Sequence, residues 1–91
     1  MPKPTEVNPN NFKVKSVLFD NEAFSVVLGN WRDSDNVLAM RWNGDDEDDA
    51  GYPKTFGNPM WFIIHDELKQ PIIQSLMQKD SQIIEKILKA I

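Results

Sequence analysis

The chain predicts an α+β fold in which the strands come first and the helix last, and three features carry that prediction. Upstream of Gly57, apolar residues fall in short β-rich runs broken by polar turn clusters. Downstream of Asp66 they recur at steps of three and four through Ile91, the period of a helix. Between the two, Gly57-Asn58-Pro59-Met60-Trp61-Phe62-Ile63-Ile64-His65-Asp66-Glu67-Leu68 marks the change of rhythm. The expected architecture is a four-stranded antiparallel curved sheet followed by a C-terminal helix, kinked or in two parts. At 91 residues the chain makes one domain, near the size at which a single core is only marginally sufficient.

Residues 1–10 hold three of the six prolines and little that packs, so they read as a flexible tail. The single α+β domain then spans 11–91. Phe12 to Phe19 is the first strand, and Asp20-Asn21-Glu22 is a tight polar connection that favours a hairpin. Ala23 to Trp31 is the second strand, with Phe24, Val26 and Leu28 on one face and Ser25, Val27, Gly29 and Trp31 on the other. Arg32 to Asn36 turns the chain into a third strand, Val37 to Trp42. Asn43-Gly44 has the composition of a two-residue hairpin turn, but adjacent like charges make a poor strand. Residues 43–59 are therefore read as one long acidic loop, partly ordered around Tyr52-Pro53 and Phe56. Met60 to Ile64 is the fourth strand.

His65-Asp66-Glu67 opens the helix, and its carboxylates suit a helix N-terminus. Leu68, Ile72, Ile73, Leu76 and Met77 form one apolar stripe. Pro71 costs roughly 3 kcal/mol inside a helix. Either the helix kinks there, or Asp66 to Lys69 is a separate turn and Pro71 opens the main helix. Lys79-Asp80-Ser81-Gln82 interrupts the stripe, and Asp80 or Ser81 can cap a second segment. Ile83, Ile84, Ile87, Leu88 and Ile91 continue the pattern, and each is worth ~1.5–3 kcal/mol when fully buried. A homodimer packed partly through these five residues is expected.

Composition excludes more than it assigns. With no cysteine there is no disulfide framework, thiolate metal site or thiol nucleophile. No apolar signal-peptide core and no long apolar run point to a membrane, and a cytoplasmic protein is expected. Of the net charge of −4, the run Asp45-Asp46-Glu47-Asp48-Asp49 supplies five negative charges, leaving +1 for the rest of the chain. His65 beside Asp66 and Glu67 reads as a helix-start cluster rather than a proton-transfer or metal site. The oxygens of Asp33-Ser34-Asp35-Asn36 and of the acidic run lack the glycine and terminal glutamate of a calcium loop. No phosphate cradle, nucleophile elbow or paired catalytic carboxylates appear, so neither an enzyme nor a cofactor is expected.

One helical layer covers one face of a sheet and leaves the other open. If Phe24, Val26, Leu28, Leu38, Met40 and Trp42 face the helix, then Val27, Trp31, Val37, Ala39 and Arg41 lie on the open side. One of Trp61 or Phe62 joins them, with Lys13 and Lys15 from the first strand. Aromatics mixed with cations suit single-stranded nucleic acid, where bases stack and cations follow phosphates. They also suit a protein interface. Trp42 and Trp61 read as packing residues, and Arg41 has Asp20, Glu22 and the acidic loop as rival ion-pair partners.

Val37-Leu38-Ala39-Met40-Arg41-Trp42, the glycine-led segment Gly57 to Ile64 and the helix opening Asp66-Glu67-Leu68 together resemble the positive cofactor four family of transcriptional coactivators. The likeness spans residues 12–91 as a pattern of elements. It implies a curved-sheet homodimer packed through its helices, gripping single-stranded DNA with basic and aromatic residues, and carries over to Arg41, Lys54 and Gly57. Asn58-Pro59 stand where that family has basic residues, and the acidic run is a further departure. The expected function is therefore a small binding module for single-stranded nucleic acid, with Trp31, Arg41, Lys13, Lys15 and Lys54 as contacts. The alternative is a protein-interaction module using the open face and the acidic loop.

Overall fold

Two polar turns fold the first half of the chain into a meander. In the computed structural model, which describes residues 1–90, β1 (Phe12–Asp20), β2 (Phe24–Trp31) and β3 (Ser34–Trp42) pair antiparallel in sequence order. At the first turn the Asn21 side chain accepts from the N–H groups of Ala23 (3.1 Å) and Phe24 (2.8 Å), and Glu22 takes a left-handed φ of 76°. The second turn is tighter than expected. Arg32, at φ 54°, and Asp33 make the whole connection, so β3 starts at Ser34, three residues before the expected Val37. Ser34 pairs with Trp31, and the register then shifts before Gly29 meets Val37.

A hairpin of two very short strands, β4 (Lys54–Thr55) and β5 (Asn58–Pro59), forms its own sheet inside the segment expected to be a loop. The acidic run lies between β3 and this hairpin. β6 (Phe62–Ile63) then joins the main sheet beside β3, Met40 opposite Phe62 and Ala39 opposite Ile63. The strand order is β1-β2-β3-β6, as an α+β antiparallel sheet requires. β1, an edge strand, carries register shifts between Val14 and Ser16 and between Val17 and Phe19. The second lets the consecutive residues Leu18 and Phe19 both pack on the helical side, as a bulge does.

Two helices follow, α1 (Asp66–Lys79) and α2 (Ile83–Ala90). His65 is the N-cap of α1: its Nδ1 accepts the Glu67 N–H at 3.2 Å, with Asp66 and Glu67 in the first turn. Pro71 sits inside α1 without dividing it. The division falls at Asp80, whose side chain accepts from the Gln82 N–H at 2.9 Å and pairs with Lys86 at 3.5 Å. The helix is thus two-part because a capping aspartate competes with continuation. No helix among the described residues is long and apolar enough to cross a membrane.

The sheet separates two cores. On the helical side Leu18, Val26, Leu28, Leu38 and Ile64 pack beneath Leu76, Ile83 and Ala90. On the reverse side, expected to be open, Val7, Phe12, Val27, Val37, Ala39 and Trp61 form a second buried cluster, with Val14, Val17, Trp31 and Ile63 against it. The N-terminal segment closes this side. Pro4 and Val7 are buried, and the Trp61 indole donates to the Val7 carbonyl at 2.7 Å. The expectation of an unpacked tail therefore fails for this stretch. A prolyl 3-10 turn at Pro4–Glu6 precedes the buried Val7, and valine burial together with the satisfied indole N–H favours docking of the segment.

Of the residues expected at a subunit interface, Ile83 is buried in the chain's own core and Ile87 packs partly against it. Ile84 and Leu88 stay exposed, and Ile91 lies outside the described residues.

Candidate interaction surface

The five expected contact residues do not converge. Arg41 is buried, only 1% exposed. Its Nε donates to the Trp42 carbonyl (3.2 Å), one terminal nitrogen to the Met60 carbonyl (3.2 Å) and the other to the Ala50 carbonyl. Burial pulls its pKa down and the nearby Asp49 charge pushes it back up. A guanidinium committed to three carbonyls is a structural clamp and not a phosphate ligand. Gly51 permits the clamp: its φ is +77°, and a Cβ there would meet an Arg41 nitrogen at 2.5 Å. Trp31 is half-buried against the second core, with the Arg32 guanidinium 4.6 Å from its ring centre. Lys13 donates to the Asn8 carbonyl at 3.5 Å and Lys15 to the Asn36 side chain at 3.1 Å. Lys54 stands exposed on the separate β4–β5 hairpin.

A second polar cluster lies at that end of the sheet, where Ser25 on β2 pairs opposite Arg41. Ser25 and Asn43, both buried, share a hydrogen bond of 2.7 Å, and the Asn43 amide donates to the Glu22 carbonyl (2.9 Å) and the Asp20 carboxylate (3.3 Å). The acidic run is anchored here too. The Asp49 carboxyl accepts from the Asp45 N–H at 3.0 Å and the Gly51 N–H at 2.9 Å, and these bonds hold its pKa below the usual carboxylate range. The run is therefore a folded turn fixed beside Arg41 and not a free tether.

The exposed surface lies instead on the helical side, at the end of the sheet that the helices do not reach. Lys69 near the start of α1 donates to the Asn36 carbonyl, which places that helix over one end of β3. At the other end Phe24 pairs with Trp42, and Trp42 bridges to Tyr52. Trp42 (57%), Tyr52 (65%) and Phe62 (58%) are largely exposed. The Phe24 and Trp42 rings meet edge to face with centres 4.8 Å apart. With Met40 and Pro53 these side chains line a shallow depression of about 150 Å³. Adjacent exposed aromatics on neighbouring strands are uncommon on a free surface and mark contact sites.

No family model, curated protein or solved structure matches this chain. The surface is therefore argued from its own chemistry. Lys54 follows Pro53, the acidic run follows Trp42 and Asn43 in the chain, and among the described residues no group of His, Asp and Glu converges as a metal would need.

Sequence reasoning placed Phe24, Met40 and Trp42 on the helical face correctly but treated that whole face as covered. Trp42, read as a core or rim packing residue, packs on Phe24 at the rim while more than half of it stays exposed. The missing signal was length: α1 begins over the Asn36 end of β3, so the paired residues at the far ends of β2 and β3 stay outside its footprint. Trp61, by contrast, is buried as expected, its ring 5.8 Å from that of Phe12.

Proposed function

We propose that this protein is a non-enzymatic protein-interaction module whose contact surface is the aromatic corner of Phe24, Met40, Trp42, Tyr52 and Phe62. The single observation that carries the reading is three large aromatic side chains held more than half exposed, Trp42 and Phe62 on paired strands and Tyr52 by its bridge to Trp42. Rigid aromatics bury much area at little entropic cost and dominate binding energetics at protein interfaces. The acidic turn anchored at Asp49 flanks this surface and selects for a partner with basic residues at the rim. Self-association through the exposed Ile84 and Leu88 on α2 belongs to the same proposal, and a monomeric mass in light scattering at high protein concentration would remove it.

The aromatic corner also supports a second reading. Single-stranded nucleic acid stacks on such rings, and the resemblance to positive cofactor four proteins implies that ligand. Among the described residues the one cation lining the corner is Arg41, whose guanidinium is committed to three carbonyls, and the five carboxylates of the acidic run repel phosphate. Protein recognition is therefore favoured.

The test is a comparison of two baits and one titration. Wild-type protein should retain a defined partner that the Trp42→Ser, Phe62→Ser double variant loses and the Lys13→Ala, Lys15→Ala variant keeps. Low-salt anisotropy with oligothymidylate should show no binding. Tight, salt-sensitive oligothymidylate binding that depends on Trp42 would overturn the protein reading in favour of the nucleic acid one.

A further inference from the structure

The strand pairing that builds the aromatic corner also shapes the space between its rings. Trp42 pairs with Tyr52 through two backbone hydrogen bonds of 2.8 and 3.0 Å, and Met40 pairs with Phe62. Opposed residues point to one face, and Met40 and Trp42, two apart on β3, share it. Three exposed rings therefore stand around the depression of about 150 Å³, with the part-buried Met40 as its floor. Phe24 braces the Trp42 wall edge to face at 4.8 Å.

The same pair closes the loop that carries the acidic run. The chain leaves the sheet after Trp42 and returns at Tyr52, so both ends of the acidic loop are walls of the depression. Asp45, Asp46, Glu47 and Asp48 are exposed, and among the described residues the one ion pair, Lys86 with Asp80, lies elsewhere. Backbone N–H groups fix Asp46 and Asp49 in the loop. Lys54 and the Met1 ammonium act on Asp49, and Arg41 lines the depression with its guanidinium committed to three carbonyls. Three cations thus face five carboxylates, and the mouth of the corner stays negative.

Ring faces and surplus carboxylates both attract a cation. A proline-rich segment gains from the rings but not from the charge. The lining side chains supply one oxygen acceptor, the Tyr52 hydroxyl. An unmodified lysine ammonium carries three donors and would give up its water without replacing it. A trimethylated ammonium has no N–H to satisfy and suits an enclosure of rings. We propose that the aromatic corner is a cage for a trimethylated lysine on a partner polypeptide, with basic neighbours of that lysine along the acidic loop. The inference rests on the protein-interaction reading above and deepens it by naming the group recognised. A polypeptide is favoured over a free choline headgroup because the surplus negative charge exceeds what one ammonium neutralises.

The test titrates the isotope-labelled full chain by NMR with a synthetic peptide holding one lysine between arginines. It is used trimethylated, unmodified, and as the neutral tert-butyl isostere in which carbon replaces the charged nitrogen. The trimethylated form should move the Trp42 indole and Phe62 signals and bind about tenfold more tightly than either other form. Tyr52→Leu and, independently, Phe62→Leu, both at exposed positions, should remove that preference with the melting transition retained. Glu47→Gln with Asp48→Asn should weaken all three forms alike, at low salt only. Equal affinity for the trimethylated and isosteric forms would overturn the cage. Tighter binding of phosphatidylcholine vesicles or of an oligoproline peptide at the same signals would overturn it too. If the Trp42→Ser, Phe62→Ser variant loses a partner that wild type holds equally with and without lysine methylation, the cage falls and the interaction surface stands. If neither peptide nor partner binding depends on Trp42, both fall.

Discussion

Arg41 shows how one side chain can change from apparent ligand contact to structural clamp. Its alternation on β3 was legible, but the partners that enclose it come from Ala50, Met60 and Trp42, and no local pattern links those carbonyls. Arg41→Met should therefore cost about 2–4 kcal/mol in urea unfolding, through three carbonyls left without donors in a buried site. Arg41→Lys should recover only part of that, because one ammonium cannot span the same acceptors. Asp49 carries a pH dependence of definite sign. Its folded pKa is depressed by the Asp45 and Gly51 N–H groups, so its contribution is fully present above the ordinary aspartate value of about 4. It is lost as pH falls through the depressed value. An NMR pH titration should show the Gly51 amide moving in that acid window, and Asp49→Asn should abolish the movement. Asp80, depressed chiefly by the Gln82 N–H, follows the same sign at the α1–α2 junction.

At the level of elements, the two helices and the β1–β3 meander follow from patterns in the chain, whereas their limits do not. The apolar stripe and the capping aspartate forecast a divided helix, and the break falls at Asp80 because a side-chain cap is available there. Pro71 produces no break, since the packing of Ile72, Ile73 and Leu76 on the sheet outweighs one missing hydrogen bond. Pro71→Ala, at an exposed position, should therefore raise stability by about 1–2 kcal/mol in thermal or urea unfolding. The β4–β5 hairpin was hidden by its length: two-residue strands carry no periodicity, and only the left-handed pair Phe56-Gly57 marks the turn. Phe56→Asn should stabilise the hairpin by about 0.5–1 kcal/mol. A rise in melting temperature checks this.

The whole molecule is three layers thick where two were expected. Helices cover one side of the sheet, and the N-terminal segment with Trp61 closes the other. Val7→Ala should accordingly destabilise by about 1–2 kcal/mol through lost burial, and removal of residues 1–8 should shift Trp61 fluorescence to the red as its ring is exposed. An unchanged spectrum would show that the segment does not seal that face. From local pattern alone the chain determined its fold class, the alternation of β2 and β3, the helix period and the burial of Trp61. Those properties depend on neighbours within a few residues. Tertiary structure decided which face is closed, where Arg41 finds its acceptors and which aromatics remain in water. These depend on how far a helix reaches across a sheet and where a distant terminus docks, and both are set by contacts between segments tens of residues apart.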